Sequence, residues 1–123
     1  IFVNGEKTKL EDFLRSSLNS VNKDTILVWL EKLYFDVMQN NDLKIGILHT
    51  ISHIPYKLVY PAGQSLALTG LTDPCDEVIE FSIKAFENWE DKDSVYLLKG
   101  RQLKKKWLQE YLDEVVEILE ETK

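Results

Sequence analysis

Apolar residues recur at intervals of three and four positions along most of the chain, the spacing that places side chains on one face of an α-helix. A capping box of Thr8 and Glu11 predicts a first helix over about 8–19. Asp24 and Asp42 are placed to be the N-caps of a second and a third helix. The apolar faces predicted for these two helices are Ile26, Leu30, Leu33 and Val37, and Leu43, Ile47, Ile51 and Ile54.

The pattern is least regular over residues 56–71, after Pro55 ends the third helix. We expect helix over most of this segment, with Pro61 in the first turn of a new helix. A short strand over 57–60 is the alternative. Small residues share one face of the predicted helix and let a neighbouring helix approach closely. These residues are Gly63, Ala67 and Gly70.

The second half of the chain predicts three more helices. An Asp-Pro pair at 73–74 is typical of a helix start and predicts a fifth helix that runs to about Trp89. Its apolar residues occupy nearly the whole circumference, so we expect it to be central and covered by neighbours. A short helix follows at 94–98, and beyond Gly100 a long one reaches about Glu121. The buried side predicted for that last helix is Leu103, Trp107, Tyr111, Val115 and Ile118.

Composition narrows the classes of function. The 123 residues are 44% hydrophobic, which predicts one domain over 1–123. Fifteen basic and twenty-one acidic side chains give a net charge of −6, which repels a phosphate backbone, so we expect no nucleic-acid partner. A single cysteine, Cys75, cannot close an intramolecular disulfide, which favours a reducing compartment, the cytoplasm. No apolar run approaches the roughly 20 residues that cross a bilayer, so we expect no membrane association.

The predicted helices form pairs that start near residues 8, 42 and 75, a period of about 34 residues that is typical of stacked helical repeats. The tetratricopeptide and ankyrin signatures are absent. Residues 73–99 resemble a HEAT repeat, with a capping Asp-Pro, Ala85-Phe86 near the end of a first helix, Asp91 in the turn and a Leu-Leu second helix. This armadillo-type resemblance is clearest over about 73–100. It implies an all-α, right-handed α-α superhelix of about three HEAT-like helix pairs with a long C-terminal capping helix.

Catalytic patterns are incomplete. His49 and His53 lie four positions apart on one predicted helix and could meet one metal ion, but Thr50 stands where a zinc protease has its glutamate. Ser65 lies in a sequence that lacks the final glycine of a nucleophile elbow. Cys75 has acidic neighbours and is interpreted as structural. We therefore expect no enzyme, cofactor or metal, and keep a metal-dependent enzyme that uses His49 and His53 as an alternative.

Acidic residues cluster at the end of the fifth helix, beside a tryptophan and a tyrosine, the side chains most enriched at binding hot spots. We predict a partner-binding patch there, made of Glu87, Trp89, Glu90, Asp91, Asp93 and Tyr96. The expected partner is a basic protein. The most concrete hypothesis is a small acidic immunity or inhibitor protein, of the kind found in bacteria, that binds and neutralises a basic toxin or enzyme. A helical-repeat scaffold or adaptor is the alternative.

Overall fold

The computed structural model describes residues 4–18 and 23–121, and this part of the chain contains helices and no strand. The prediction of an all-α fold is confirmed, and the strand alternative for residues 57–60 is wrong. The α-helices, in chain order, are α1 (Asn4–Leu18), α2 (Lys23–Asp36), α3 (Asn41–Ser52), α4 (Tyr56–Val59), α5 (Ala62–Gly70), α6 (Asp76–Trp89), α7 (Val95–Leu98) and α8 (Lys106–Glu121). A 3-10 turn at Lys92–Ser94 lies between α6 and α7.

Helix α6 lies at the centre of the described fold. It packs against α3, α5 and α8, and Val78, Ile83 and Phe86 have no exposed surface. Helix α3 in turn packs against α1, while α2 packs against both α1 and α5. The buried apolar side chains from Leu14 to Leu119 form one hydrophobic cluster. The predicted central position of this helix is confirmed, and its all-round apolar surface is explained by neighbours on several sides.

The first three helices begin earlier than predicted. Helix α1 already runs through Thr8, so Thr8 is not its N-cap and the predicted capping box is wrong. The Glu11 carboxylate pairs instead with Arg15, one turn later, at 3.1 Å. The predicted end of this helix at residue 19 lies outside the described residues. Asp24 and Asp42 fall inside first turns, where their negative charge complements the positive helix end.

The N-cap of α3 is Asn40 rather than Asp42. Its extended backbone lets the side-chain oxygen accept a hydrogen bond from the Leu43 amide at 3.1 Å. The predicted inner face of this helix is confirmed at Ile47, Ile51 and Ile54, which are fully buried, whereas Leu43 is half-buried.

Helix α5 approaches α6 closely at Gly70 and α4 closely at Gly63, as the small residues predict. A Cβ atom on Gly70 would lie 1.9 Å from the Ser82 hydroxyl oxygen, and one on Gly63 would lie 2.6 Å from a Val59 methyl carbon. Neither position has room for a larger side chain. The peptide bond between Tyr60 and Pro61 is cis, and Pro61 immediately precedes α5.

Asp73 does not cap α6, which begins at Asp76. One carboxylate oxygen accepts a hydrogen bond from the Cys75 amide at 2.9 Å. The other lies 2.6 Å from the Lys44 ammonium, and both side chains are at most 5% exposed. The aspartate therefore joins α3 to the connection before α6, two residues short of a cap.

The inner face of α8 differs from the prediction except at Val115, which is buried as predicted. Trp107 and Ile118 are about half exposed, at 47% and 46%, and Leu103 precedes the helix. Tyr111 is only half-buried, because its hydroxyl donates to the Glu87 carboxylate at the edge of the core. The aliphatic stripe one position further on fills the space beside α6 instead. The buried residues of α8 are Leu108, Leu112, Val115, Val116 and Leu119.

Candidate functional site

The predicted patch lies where the chain leaves α6. Glu90 ends the helix in a left-handed backbone conformation, with a φ of 53°. Asp91 follows in extended conformation and precedes the 3-10 turn, and its carboxylate accepts a hydrogen bond from the Ser94 hydroxyl at 3.0 Å. Glu90 and Asp93 are exposed and Asp91 is half-buried. We call the three carboxylates of Glu90, Asp91 and Asp93 the acidic turn.

Trp89 is not the exposed centre that the sequence predicts. Its side chain is 9% exposed, and its indole N–H donates to the carbonyls of Ile51 and Ile54 at 3.0 and 3.1 Å. The last carbonyls of a helix have no partner inside it, and an indole N–H buried nearby needs an acceptor. Trp89 therefore stabilises the end of α3 from below the surface.

Glu87 also has a structural contact. It is half-buried and accepts a hydrogen bond from the Tyr111 hydroxyl at 2.6 Å, which links α6 to α8. Burial, together with this hydrogen bond and the negative charge of Glu87, raises the pKa of Tyr111. Of the predicted patch, the acidic turn and Tyr96, which is 88% exposed, remain at the surface.

Two hollows flank the 3-10 turn, and Asp93 borders both. One, of about 550 Å³, lies on the side of Tyr96. The other, of about 410 Å³, has two tyrosines in its wall, and we call it the tyrosine pocket. Its lining residues are Tyr56, Lys57, Tyr60, Gln64, Asp91 and Asp93. Within the acidic turn, Asp93 thus borders both hollows, Asp91 borders the tyrosine pocket, and Glu90 borders neither.

The two tyrosine rings of the tyrosine pocket pack against each other, and Tyr56 has further contacts with Trp89 and Gln64. The centroids of Tyr56 and Tyr60 are 5.5 Å apart and their planes are tilted by 49°. Tyr56 also packs against Trp89 at 5.5 Å, and its hydroxyl accepts a hydrogen bond from the Gln64 amide at 2.8 Å. Burial, and then the negative charge of Asp91, raises the pKa of Tyr56 to about 12. Its hydroxyl therefore keeps its proton at neutral pH and can donate.

Sequence reasoning missed Tyr56, Tyr60 and Gln64, because their segment has no regular apolar period. Their spacing of four positions is not a usable signal, because the segment is not one helix. Tyr56 lies in α4, Tyr60 has an extended backbone after it, and Gln64 lies in α5. The packing of these helices and of the acidic turn, which contributes Asp91 and Asp93, brings the lining together.

The two histidines are neighbours. His49 and His53 have ring centroids 4.7 Å apart in an edge-to-face arrangement, and His49 packs in the same manner on Phe81 at 5.7 Å. Within residues 4–18 and 23–121, no group of three or more His, Cys, Asp or Glu side chains could hold a metal ion. A metal at these imidazoles would need a further ligand from elsewhere.

The other chemical candidates lie apart from the site. Ser65 is exposed within α5, so it is not on the strand-to-helix turn that a nucleophile elbow requires. Cys75 is half-buried at the start of α6. In the part of the chain that the structure describes, no helix has both the length and the apolar character to cross a bilayer. Comparison with known protein families, curated proteins and solved structures finds no significant match.

Proposed function

We propose that the chain is a non-enzymatic module that binds a basic protein through its acidic turn. The observation that carries this proposal is the acidic turn itself, in which Asp93 borders two hollows and Asp91 borders one of them. Glu90 and Tyr96 are exposed nearby. Complementary charge speeds association, and an exposed tyrosine next to a hollow offers contact area. In its most concrete form, the module is a cytoplasmic immunity or inhibitor protein that neutralises a basic toxin or enzyme.

The arrangement of the helices supports a HEAT-like superhelix as the scaffold of this module. Helices α1, α3 and α6 pack side by side in chain order, and α2 packs against α5. This is the contact pattern expected when helix pairs stack with first helices beside first helices. The third pair has a short second helix, and α8 packs against both α6 and α7 as a cap would.

A helical-repeat adaptor is the second candidate function, and the first helix pair favours it. Phe13 and Trp29 are 50% and 41% exposed, with their rings in edge-to-face contact at 6.1 Å. Val28 and Phe35 on α2 are more than half exposed as well. An outer face this apolar is expected where further helices or another protein cover it.

Charge reversal tests the proposed function. The variant Glu90→Lys with Asp93→Lys removes two exposed negative charges and leaves Asp91 to hold Ser94. The probe is the protein encoded by the gene next to that of this chain. We expect its association rate with the variant at low salt to fall by about ten-fold or more, because electrostatic steering is lost. Stopped-flow fluorescence measures this rate.

The matched control is Glu114→Lys with Glu117→Lys on the exposed face of α8, which changes the net charge by the same amount. An equal fall in rate for both variants would show that only overall charge matters and would contradict a defined site. So would a complex whose association rate is unchanged by the reversal in the acidic turn. Protection of cells that produce the neighbouring protein separates the inhibitor from the adaptor.

A further inference from the structure

We infer that the tyrosine pocket binds the guanidinium group of an arginine side chain, which on the proposed function comes from the basic partner. The pocket combines two aromatic rings with two carboxylates in a hollow of about 410 Å³. A guanidinium group stacks on aromatic faces and also pairs with carboxylates through its planar set of donors. The two kinds of wall therefore recognise the same ligand group.

The aromatic part of the pocket is preorganised. Tyr56 is fixed by the Gln64 amide on its hydroxyl and by Trp89 against its ring. The ring of Tyr60 contacts that of Tyr56, with centroids 5.5 Å apart, and Tyr60 is 48% exposed, so a flat group can lie against the accessible part of its ring. A cation gains most from a ring when its centre lies within about 6 Å of the ring centroid.

The acidic part lies on the opposite segment. Asp91 is oriented by the Ser94 hydroxyl, and Asp93, two residues later in the 3-10 turn, is exposed. Lys57 is the positive residue of the lining, so two carboxylates oppose one ammonium group. The Lys57 side chain is exposed. Charge-assisted hydrogen bonds from a guanidinium to such carboxylates are stronger than those between neutral groups.

Other classes of ligand would interact with only the rings or only the carboxylates of this lining. A metal ion would ignore the rings, and in the described part of the chain no cluster of three His, Cys, Asp or Glu side chains surrounds it. A neutral aromatic group would leave Asp91 and Asp93 without the cation that their charge favours. A lysine ammonium is a compact, strongly hydrated charge that does not stack as a plane does. Arginine matches both the rings and the acids.

A titration with a free small molecule tests this pocket without any partner. We expect L-arginine amide to shift the backbone amide resonances of residues 56–64 and 91–93 with a dissociation constant on the order of millimolar. L-citrulline amide, which has the same shape and no side-chain charge, is expected to bind at least about ten-fold more weakly. Equal shifts with both compounds, or none with arginine amide, would overturn the inference.

Three variants locate the binding. Tyr60→Ala, at a ring that is 48% exposed, is expected to weaken arginine amide about ten-fold. Lys57→Ala is expected to tighten binding a few-fold, because the competing positive charge is removed. Trp107→Ala, at an exposed ring on α8 outside this pocket, leaves the affinity unchanged. The gain with Lys57→Ala keeps the test decisive even if Tyr60→Ala does not fold, and loss of affinity in Trp107→Ala equal to that in Tyr60→Ala contradicts the site.

The pocket and the proposed function fail in different ways. Arginine amide that binds as expected while no basic protein associates with the chain supports the pocket and contradicts the proposed function. A basic partner whose association depends on the acidic turn but not on Tyr60, together with no shift by arginine amide, contradicts the pocket alone. Lysine amide serves as a further arm, and tighter binding than arginine amide overturns the choice of a guanidinium.

Discussion

At the scale of single residues, the described core contains an ion pair as well as apolar side chains. Lys44 and Asp73 lie 2.6 Å apart, and neither side chain is more than 5% exposed. Asp73 also holds the Cys75 amide, which satisfies part of its remaining hydrogen-bonding capacity. A buried pair of this kind adds little net stability over an apolar pair of the same volume, but it is costly to break from one side.

Removing one partner of the ion pair is therefore expected to be worse than removing both. Lys44→Met and Asp73→Asn should each lower the free energy of unfolding by about 3 kcal/mol, because each leaves an unpaired buried charge. The double variant is expected to lose less stability than either single variant, because it leaves no unpaired buried charge. Urea unfolding followed by circular dichroism measures all three.

The exposed pair of Lys99 and Glu120 is the control. It has a similar distance of 2.7 Å, but its side chains are 63% and 43% exposed. Lys99→Met is expected to change stability by less than about 1 kcal/mol. Strict additivity of Lys44→Met and Asp73→Asn would show that the buried pair is not coupled.

Contacts between residues far apart in the chain are the features that the sequence predicts least well. It identifies Trp89 as a large aromatic residue in an acidic context, which is equally typical of a hot spot and of a core. Its acceptors, the carbonyls of Ile51 and Ile54, lie 38 and 35 positions earlier in the chain. No local pattern encodes a contact of that separation, so its burial could not be predicted.

At the scale of elements, the positions of the helices follow from local periodicity, whereas the orientation of a helix depends on its neighbours. Helix α8 carries two apolar stripes one position apart. One stripe contains Trp107 and Ile118, and the other contains Leu108 and Leu112. The choice between them is made by α6 and by the hydrogen bond between Tyr111 and Glu87. The sequence pattern alone does not distinguish the two.

Truncating one residue from each stripe tests this orientation. Leu112→Ala is expected to lower the free energy of unfolding by about 2–5 kcal/mol, because it leaves a cavity at a position that is 1% exposed. Trp107→Ala removes a larger side chain that is 47% exposed, and is expected to cost clearly less. Denaturant midpoints give the comparison, and a larger loss for Trp107→Ala would mean that the helix is rotated.

At the scale of the whole molecule, three tyrosines on different helices make stability sensitive to alkaline pH. Burial raises the pKa of Tyr34 and of Tyr56 to about 12, and it also raises the pKa of Tyr111. In the unfolded chain these groups ionise near pH 10. Their contribution to stability is therefore complete below about pH 10 and is lost as the pH rises through about 12.

The Tyr34→Phe variant tests this dependence. Among the residues that the structure describes, the Tyr34 hydroxyl is the buried side-chain polar atom without a hydrogen-bond partner. Its removal is expected to leave stability at pH 8 unchanged or slightly higher. Between pH 8 and pH 11 the variant should lose about 1 kcal/mol less than the original chain. Urea unfolding at both pH values measures the difference, and an identical loss would contradict the assigned role of Tyr34.

The all-helical architecture could be predicted because each element carries its own apolar period. The tyrosine pocket could not, since it forms only when the segment of Tyr56 and Gln64 meets the acidic turn, about 30 residues later. The acidic half of the site was thus predicted from charge, while its aromatic half depended on tertiary packing.

The chain uses glycine where α7 has ended, at Gly100 with a φ of 88°, but it uses a glutamate for the left-handed residue that ends α6. A residue with a Cβ pays about 1 kcal/mol for that conformation, and glycine does not. Folding alone would favour glycine at position 90. Glu90 therefore lowers folding stability relative to glycine and adds a third carboxylate to the acidic turn. A strained residue of this kind is expected where its side chain has a role outside the fold, such as contact with another molecule.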